Sequence, residues 1–232
     1  ISCLASLGRI KSLKAEFKEA AILLNEALVS TISHFGNDTD ETAIAHMGLA
    51  TFYIQSGEPE KAVIHLNEQL RIIKNIFDTS HWRYGLALMN LAEYYQQIDQ
   101  YSKAEKYLRD CIFVYTNIGI DKLSSIQKIY YITALQALAN TYDAMNKPEK
   151  AYLYSTEVDS FCKTNPTNLA ICQGIGLLKG NILLKMGEDS AAEQTFLEFE
   201  NYILEKTGTK QNPQFAKAQY SLANIYVNEG RY

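Results

Sequence analysis

The side chains able to do chemistry are few and scattered. Four histidines, His34, His46, His65 and His81, stand along the first third of the chain. No two of them have the His-Glu-x-x-His spacing that puts two imidazoles on one helix face around zinc, and no cysteine lies at metal-ligand spacing from any of them. His46 falls in a slot that other parts of the chain fill with Leu4 and Leu88, so it reads as a packing or surface residue. The cysteines are Cys3, Cys111, Cys162 and Cys172. None is paired with a histidine in a nucleophile arrangement. Cys162 and Cys172 flank a predicted loop, where a disulfide is conceivable, but a small buried filler is the favoured reading. Four cysteines in 232 residues suit free thiols in a reducing, cytoplasmic compartment. The run Gly174-Ile175-Gly176-Leu177-Leu178-Lys179-Gly180 loosely resembles a phosphate-binding loop, yet it lacks the preceding strand and reads as a helix start packed closely on its neighbour. Asn37-Asp38-Thr39 has the glycosylation pattern and reads as a helix-capping turn. The expectation is no catalytic residue, no metal, no cofactor and no enzymatic activity.

Composition narrows the partners. Apolar residues are 47% and charged residues 21%, as in ordinary globular proteins, and the net charge is −4. The electrostatic footprint of a nucleic-acid binder is absent. No apolar run reaches the roughly 18–20 residues that span a bilayer. Only 12 Gly and 4 Pro argue against a sheet-rich fold with many tight turns. The chain starts at Ile1 without Met and stops at Tyr232 in mid-element, which reads as a fragment of a longer protein.

What organises the sequence is a repeat. Leu-Ala-x-x-Tyr occurs at Leu49-Ala50 with Tyr53, Leu91-Ala92 with Tyr95, Leu138-Ala139 with Tyr142, and Leu222-Ala223 with Tyr226. The small residue recurs at Gly8, Ala50, Ala92, Ala139, Gly180 and Ala223, with spacings of 42, 42, 47, 41 and 43. A second small residue follows twelve positions later at Ala20, Ala62, Ala104, Ala151 and Ala192. Two antiparallel helices joined by a short turn must approach closely at one point, and a small residue on each permits it. Leu7, Leu49, Leu91, Leu138 and Leu222 should fill the flanks of that contact on the first helices. Leu24, Leu66, Leu108 and Phe196 should do so on the second. One hairpin cannot bury its apolar face alone, so the units must stack.

First helices are predicted at about 1–14, 41–56, 82–98, 122–146, 167–186 and 213–229, and second helices at about 17–34, 59–76, 101–117, 148–163 and 189–206. Pro59, Pro148, Pro166 and Pro213 all fall at predicted helix starts, where proline is tolerated. The fold class is all-α, a right-handed solenoid with five complete copies and a truncated sixth. The copies span about 1–38, 39–80, 81–121, 122–166, 167–210 and 211–232, read as one array over 1–232. The 47-residue spacing should give the fourth copy the longest first helix.

These motifs resemble the tetratricopeptide-repeat family. The carriers are Leu-Ala/Gly-x-x-Tyr, the turn, the aromatic residue or proline before the second alanine (Phe17, Pro59, Tyr101, Pro148), and the later Leu or Phe. Ordinary units of that family span about 34 residues, and these are longer by about one turn per helix. In that they are similar to the repeats of kinesin light chains, which Asn90-Leu91-Ala92-Glu93-Tyr94-Tyr95, Gly36-Asn37-Asp38 and Thr79-Ser80-His81 resemble. Lys11 and Leu183 depart from the Tyr position.

The resemblance implies a groove lined by the first helices, where the family binds peptides or partner helices. Helical spacing from the small residue places Ala5, Arg9, Ser12, Ile44, Met47, Thr51, Gln55 and Met89 on that face. It also places there the candidate binding residues Asn90, Glu93, Gln97, Gln136, Asn140, Asp143, Asn181, Lys185, Tyr220, Asn224 and Asn228. Asn140, Asn181 and Asn224 each follow the small residue directly. An asparagine both donates and accepts, so three in step could hold an extended backbone whatever its sequence. Equally, asparagine is a tolerated polar residue on an exposed face. Tyr94, Tyr130, Tyr131 and Tyr220 are further surface candidates. The family's clamp for acidic tails needs lysine where this chain has Gln136, Leu177 and Tyr220, so that specificity is not expected.

The leading expectation is an interaction module, a scaffold or adaptor binding a protein or peptide, with no nucleic acid, membrane or small-molecule substrate. The alternatives are a regulatory or sensor arm of a larger enzyme or signalling protein, and a purely structural array.

Overall fold

The computed structural model describes residues 2–165 and 170–231. Among them are eleven α-helices, one 3₁₀ turn and no strand. The chain forms two compact units, Ile1–Lys128 and Ile129–Tyr232. The first unit contains α1 (Ser2–Leu13), α2 (Phe17–Phe35), α3 (Asp40–Gln55), α4 (Pro59–Phe77), α5 (Trp82–Gln97), α6 (Tyr101–Ile118) and the 3₁₀ turn Ile120–Lys122. α7 (Ser125–Ala144) runs from the first unit into the second, which continues with α8 (Pro148–Thr164), α9 (Ala170–Lys185), α10 (Asp189–Thr207) and α11 (Pro213–Asn228).

The paired small residues meet as expected. Ala20, Ala50, Ala62, Ala92, Ala104, Ala139, Ala151 and Ala192 are all fully buried. The two glycine variants have a steric cause. A Cβ on Gly8 would lie 2.8 Å from Leu24 Cγ, and one on Gly180 would lie 2.4 Å from Phe196 Cε1. At Gly180 the residue across the contact is the ring of Phe196 in place of the leucine found opposite Ala50 and Ala92, and a larger side chain there demands a smaller residue opposite it.

All six described first helices end the same way, by a device that no side-chain type marks. The residue seven after the small one is left-handed in all six copies: Ala15, Gly57, Asp99, Asn146, Gly187 and Gly230, with φ between 54° and 78°. The next backbone N–H then reaches back to the carbonyl of the motif's Tyr position, as from Glu58 to Tyr53 (2.8 Å), Gln100 to Tyr95 (2.9 Å) and Arg231 to Tyr226 (2.8 Å). This is a Schellman-type stop, which satisfies carbonyls that the helix end would orphan. Helix starts are fixed by Thr39, His81 and Asn212, whose side chains accept from backbone N–H groups. Pro59, Pro148 and Pro213 stand in first turns, while Pro166 and the predicted start of the fifth first helix lie outside the described residues.

The Tyr position is held by two contacts. Tyr53, Tyr95 and Tyr142 each stack on a ring from the second helix, His65, Tyr107 and Tyr154, at 5.5 Å. Lys61, Lys103 and Lys150 lie over the same tyrosine rings at 5.3, 4.9 and 5.2 Å, a cation–π contact. The departures obey the same geometry. Where Tyr becomes Lys11, the lysine opposite becomes Glu19 and the two pair at 2.7 Å, with Glu16 joining. Where it becomes Leu183, the opposing residue is Ala191.

Three expectations need correction. Leu7 is 45% exposed, because no described helix packs outside α1. The surplus residues of the fourth copy are shared between α7, the longest of the first helices at 20 residues, and the 3₁₀ turn, so the helix starts at Ser125 and not at 122. Cys162 and Cys172 are not thiols but a disulfide with Cα atoms 5.7 Å apart, and only Cys3 and Cys111 are free. Antiparallel stacking of α8 and α9 brings the end of one beside the start of the other, which spacing along the chain does not reveal. The thiol argument for a cytoplasmic setting thereby falls. No described helix is long and apolar enough to cross a membrane.

Candidate partner-binding faces

In the second unit the first helices α7, α9 and α11 carry the asparagine ladder. Asn140, Asn181 and Asn224 are all exposed, while Ala139 and Gly180 beside the first two are buried. Ala223, beside Asn224, is exposed, because no described second helix covers α11. Successive first helices are linked by side chains one repeat apart. Lys185 Nζ pairs with Asp143 Oδ1 at 2.6 Å, and Ser221 Oγ donates to Asn181 Oδ1 at 3.4 Å. A shallow cavity of about 370 Å³ opens between α9 and α11, lined by Leu177, Asn181, Lys217, Tyr220 and Ser221. Tyr220 is 71% exposed there, a rigid apolar platform beside polar amides. Asn228 is exposed and Gln136 half-buried.

In the first unit the residues placed on that face of α1 and α3 lie together. Ala5, Arg9, Ser12, Ile44, Met47, Thr51 and Gln55 all line one cavity of about 970 Å³, floored by Leu24, Ala27 and Thr31 of α2. Ser12 Oγ donates to Gln55 Oε1 at 2.9 Å, the counterpart of the Asp143–Lys185 link. The candidate binding residues left these two copies out, although the apolar Ile44 and Met47 were the available signal. On α5, Glu93 and Gln97 are exposed.

Several candidates are committed to packing instead. Asn90 Nδ2 donates to Gln69 Oε1 at 3.1 Å, bridging α5 to a buried residue of α4. It lies two residues before its alanine, off the ladder's register. Met89, Tyr94 and Tyr131 are buried, and Tyr131 donates to Glu157 at 2.9 Å. His46 and His65 face each other with Nδ1 atoms 2.9 Å apart, and His65 also stacks on Tyr53. Burial lowers both imidazoles, His65 to about 4. One ring must be neutral to accept the other's N–H, so this is a structural hydrogen bond. Among the described residues no group of three or more His, Cys, Asp and Glu could hold a metal ion.

Residues 41–117 match the sequence profile described as tetratricopeptide repeat. These residues are tetratricopeptide repeats. The other described copies repeat the left-handed turn, and the first, fourth and fifth repeat the small-residue contact, so the fold class is the tetratricopeptide-repeat solenoid. Solved structures agree. A putative kinesin light chain from Podosopora anserina with nearly identical TPR-like repeats superposes with a TM-score of 0.74 at 14% identity, over 90% of this chain and 96% of that one. BtubC (BKLC) from P. vanneervenii gives 0.77 at 16%, over 90% and 82%. A signal transduction ATPase with a tetratricopeptide-repeat sensor, from Pyrococcus horikoshii, gives 0.80 at 16%, over 99% of this chain and 33% of that one. At these identities the likeness establishes the fold. No curated protein matches the sequence.

Proposed function

We propose that this chain is a non-catalytic interaction module whose repeats form one array and whose first helices bind a peptide or helix of a partner protein, as a scaffold or adaptor. The observation that carries this is the ladder of Asn140, Asn181 and Asn224, exposed at one register position on three consecutive first helices. Polar groups with both donor and acceptor capacity, held on rigid helices, suit the backbone of an extended chain. Asp143, Lys185, Tyr220 and Asn228 flank the ladder, and the apolar cavity between α1 and α3 suits a hydrophobic segment of the same partner. A net charge of −4 favours protein over nucleic acid. A sensor arm of a larger signalling protein is the second reading, favoured by the likeness to the ATPase sensor. If the setting is the reducing cytoplasm, Cys162 and Cys172 are kept there as thiols and pair only on oxidation.

The test is retention of partners from native extract on immobilised chain, run in parallel with the Asn140→Ala/Asn181→Ala/Asn224→Ala variant. A protein held by the first and lost by the second supports the reading. Equal retention by both removes the ladder from it.

A further inference from the structure

The disulfide occupies a recurrent junction between copies. Cys162 is the second-helix residue eleven after the partner alanine, and Cys172 is the next first-helix residue eight before the small one. At two other junctions the same two slots hold apolar pairs, and at the first they hold the buried Thr31 and Thr42. Ile73 and Tyr84 belong to one apolar cluster, and Ile203 and Phe215 to another. Only between α8 and α9 does a covalent bond stand where the neighbours rely on packing. α9 is also poorly equipped to hold itself. Gly174 and Gly176 lie in its first half, and glycine costs about 1 kcal/mol relative to alanine inside a helix. Beside the sulfurs, Asp159 accepts from Lys179 of α9 at 3.2 Å while also pairing with Lys163. Both sulfur-bearing residues line an open cavity of about 290 Å³ with Lys163, Lys179, Glu198 and Tyr202. A small reductant therefore has a path to the bond.

We propose that Cys162–Cys172 is a redox latch that fixes the start of α9 against the end of α8. A dithiol reductant supplies two electrons and two protons. The S–S bond breaks, both cysteines become thiols, and the reductant leaves as its own disulfide. The junction then loses its covalent tie and keeps its noncovalent ones, among them the Asp159–Lys179 pair and Lys179 over the Tyr152 ring at 5.8 Å. The first turns of α9 loosen, and with them the setting of Asn181 and Lys185. That the latch would regulate partner binding rests on the groove reading above; the latch itself is read without any partner.

The experiment is amide hydrogen exchange on the 232-residue chain, oxidised with glutathione disulfide or reduced with dithiothreitol, and on Cys172→Ala. Alkylation in denaturant should modify two cysteines in the oxidised chain and four in the reduced one. Reduction should speed exchange about tenfold in α9 and the last turns of α8, leaving α1–α6 within about twofold. Cys172→Ala should show the fast pattern with or without reductant. Exchange in α9 that ignores reduction overturns the proposal, as does failure of the pair to oxidise. An equal acceleration across all helices also overturns it, since the bond would then be a global staple. None of these results bears on whether the groove binds a partner.

Discussion

Gly180→Ala tests the close-contact logic most severely. The added methyl would lie 2.4, 2.6 and 2.7 Å from three ring atoms of Phe196, about 1 Å inside ordinary contact. Phe196 is fully buried, so the ring cannot swing into solvent. Overpacking of this kind costs about 1–3 kcal/mol, and three contacts to one trapped ring put it near the top of that range. Alanine's better helix propensity returns about 1 kcal/mol. The expected net loss is therefore about 2 kcal/mol, read in urea as a lower midpoint at unchanged slope. The decisive comparison is the double-mutant cycle with Phe196→Leu, which recreates the Ala–Leu combination found at Ala50 and Leu66. In that background Gly180→Ala should cost nothing or stabilise. If Gly180→Ala is neutral in the natural background, or equally harmful in both, the explanation of the glycine is wrong. Gly174→Ala is the control, because its Cβ would meet nothing within 4 Å, and it should stabilise by about 0.5–1 kcal/mol.

Three further outcomes follow from the same geometry. Ala15 alone fills the left-handed turn slot with a residue poorly suited to φ of 59°, so Ala15→Gly should raise stability by about 1 kcal/mol in chemical denaturation. His65 titrates near 4 when folded and near 6.5 when unfolded. The unfolded chain therefore binds the extra proton, and stability should fall as pH drops from about 6.5 toward about 4. The loss should be about 1–3 kcal/mol, and His65→Phe, which keeps the ring on Tyr53, should flatten that window in pH-dependent melts. Ala139→Leu should cost about 1–3 kcal/mol in thermal melts, since Ala139 and Ala151 are both fully buried at their contact.

The hairpins were legible because a twelve-residue offset between small residues is a direct imprint of two helices touching. Their ends were legible within a few residues because prolines and capping residues mark them. The turn mechanism was harder to read. Ala15, Asp99, Asn146 and Gly57 share a backbone conformation but no side-chain type, so residue identity hides what the φ values show at once. The compensations at Lys11–Glu19 and Leu183–Ala191 were visible only as departures until the Tyr–Lys contact explained them. Among candidate binding residues, those at the small residue's own register, such as Asn140 and Asn181, are exposed. Asn90, two residues before its alanine, is engaged with Gln69. The disulfide escaped because its two slots hold apolar pairs at two other junctions and threonines at the first, none of which signals a covalent bond, and a cysteine reads as one more small apolar filler.

The central claim is that exposed asparagines on α7, α9 and α11 hold a partner's backbone. It is tested most directly by titrating a retained partner, in purified form, against the natural chain and against Asn140→Ala, Asn181→Ala and Asn224→Ala, with a thermal melt of each. Loss of one or two hydrogen bonds worth about 0.5–1.5 kcal/mol each should weaken binding about tenfold per variant. The melts should be unchanged, because all three side chains are exposed. Undiminished affinity in all three variants, or a lowered melting temperature accompanying the loss, would contradict the account.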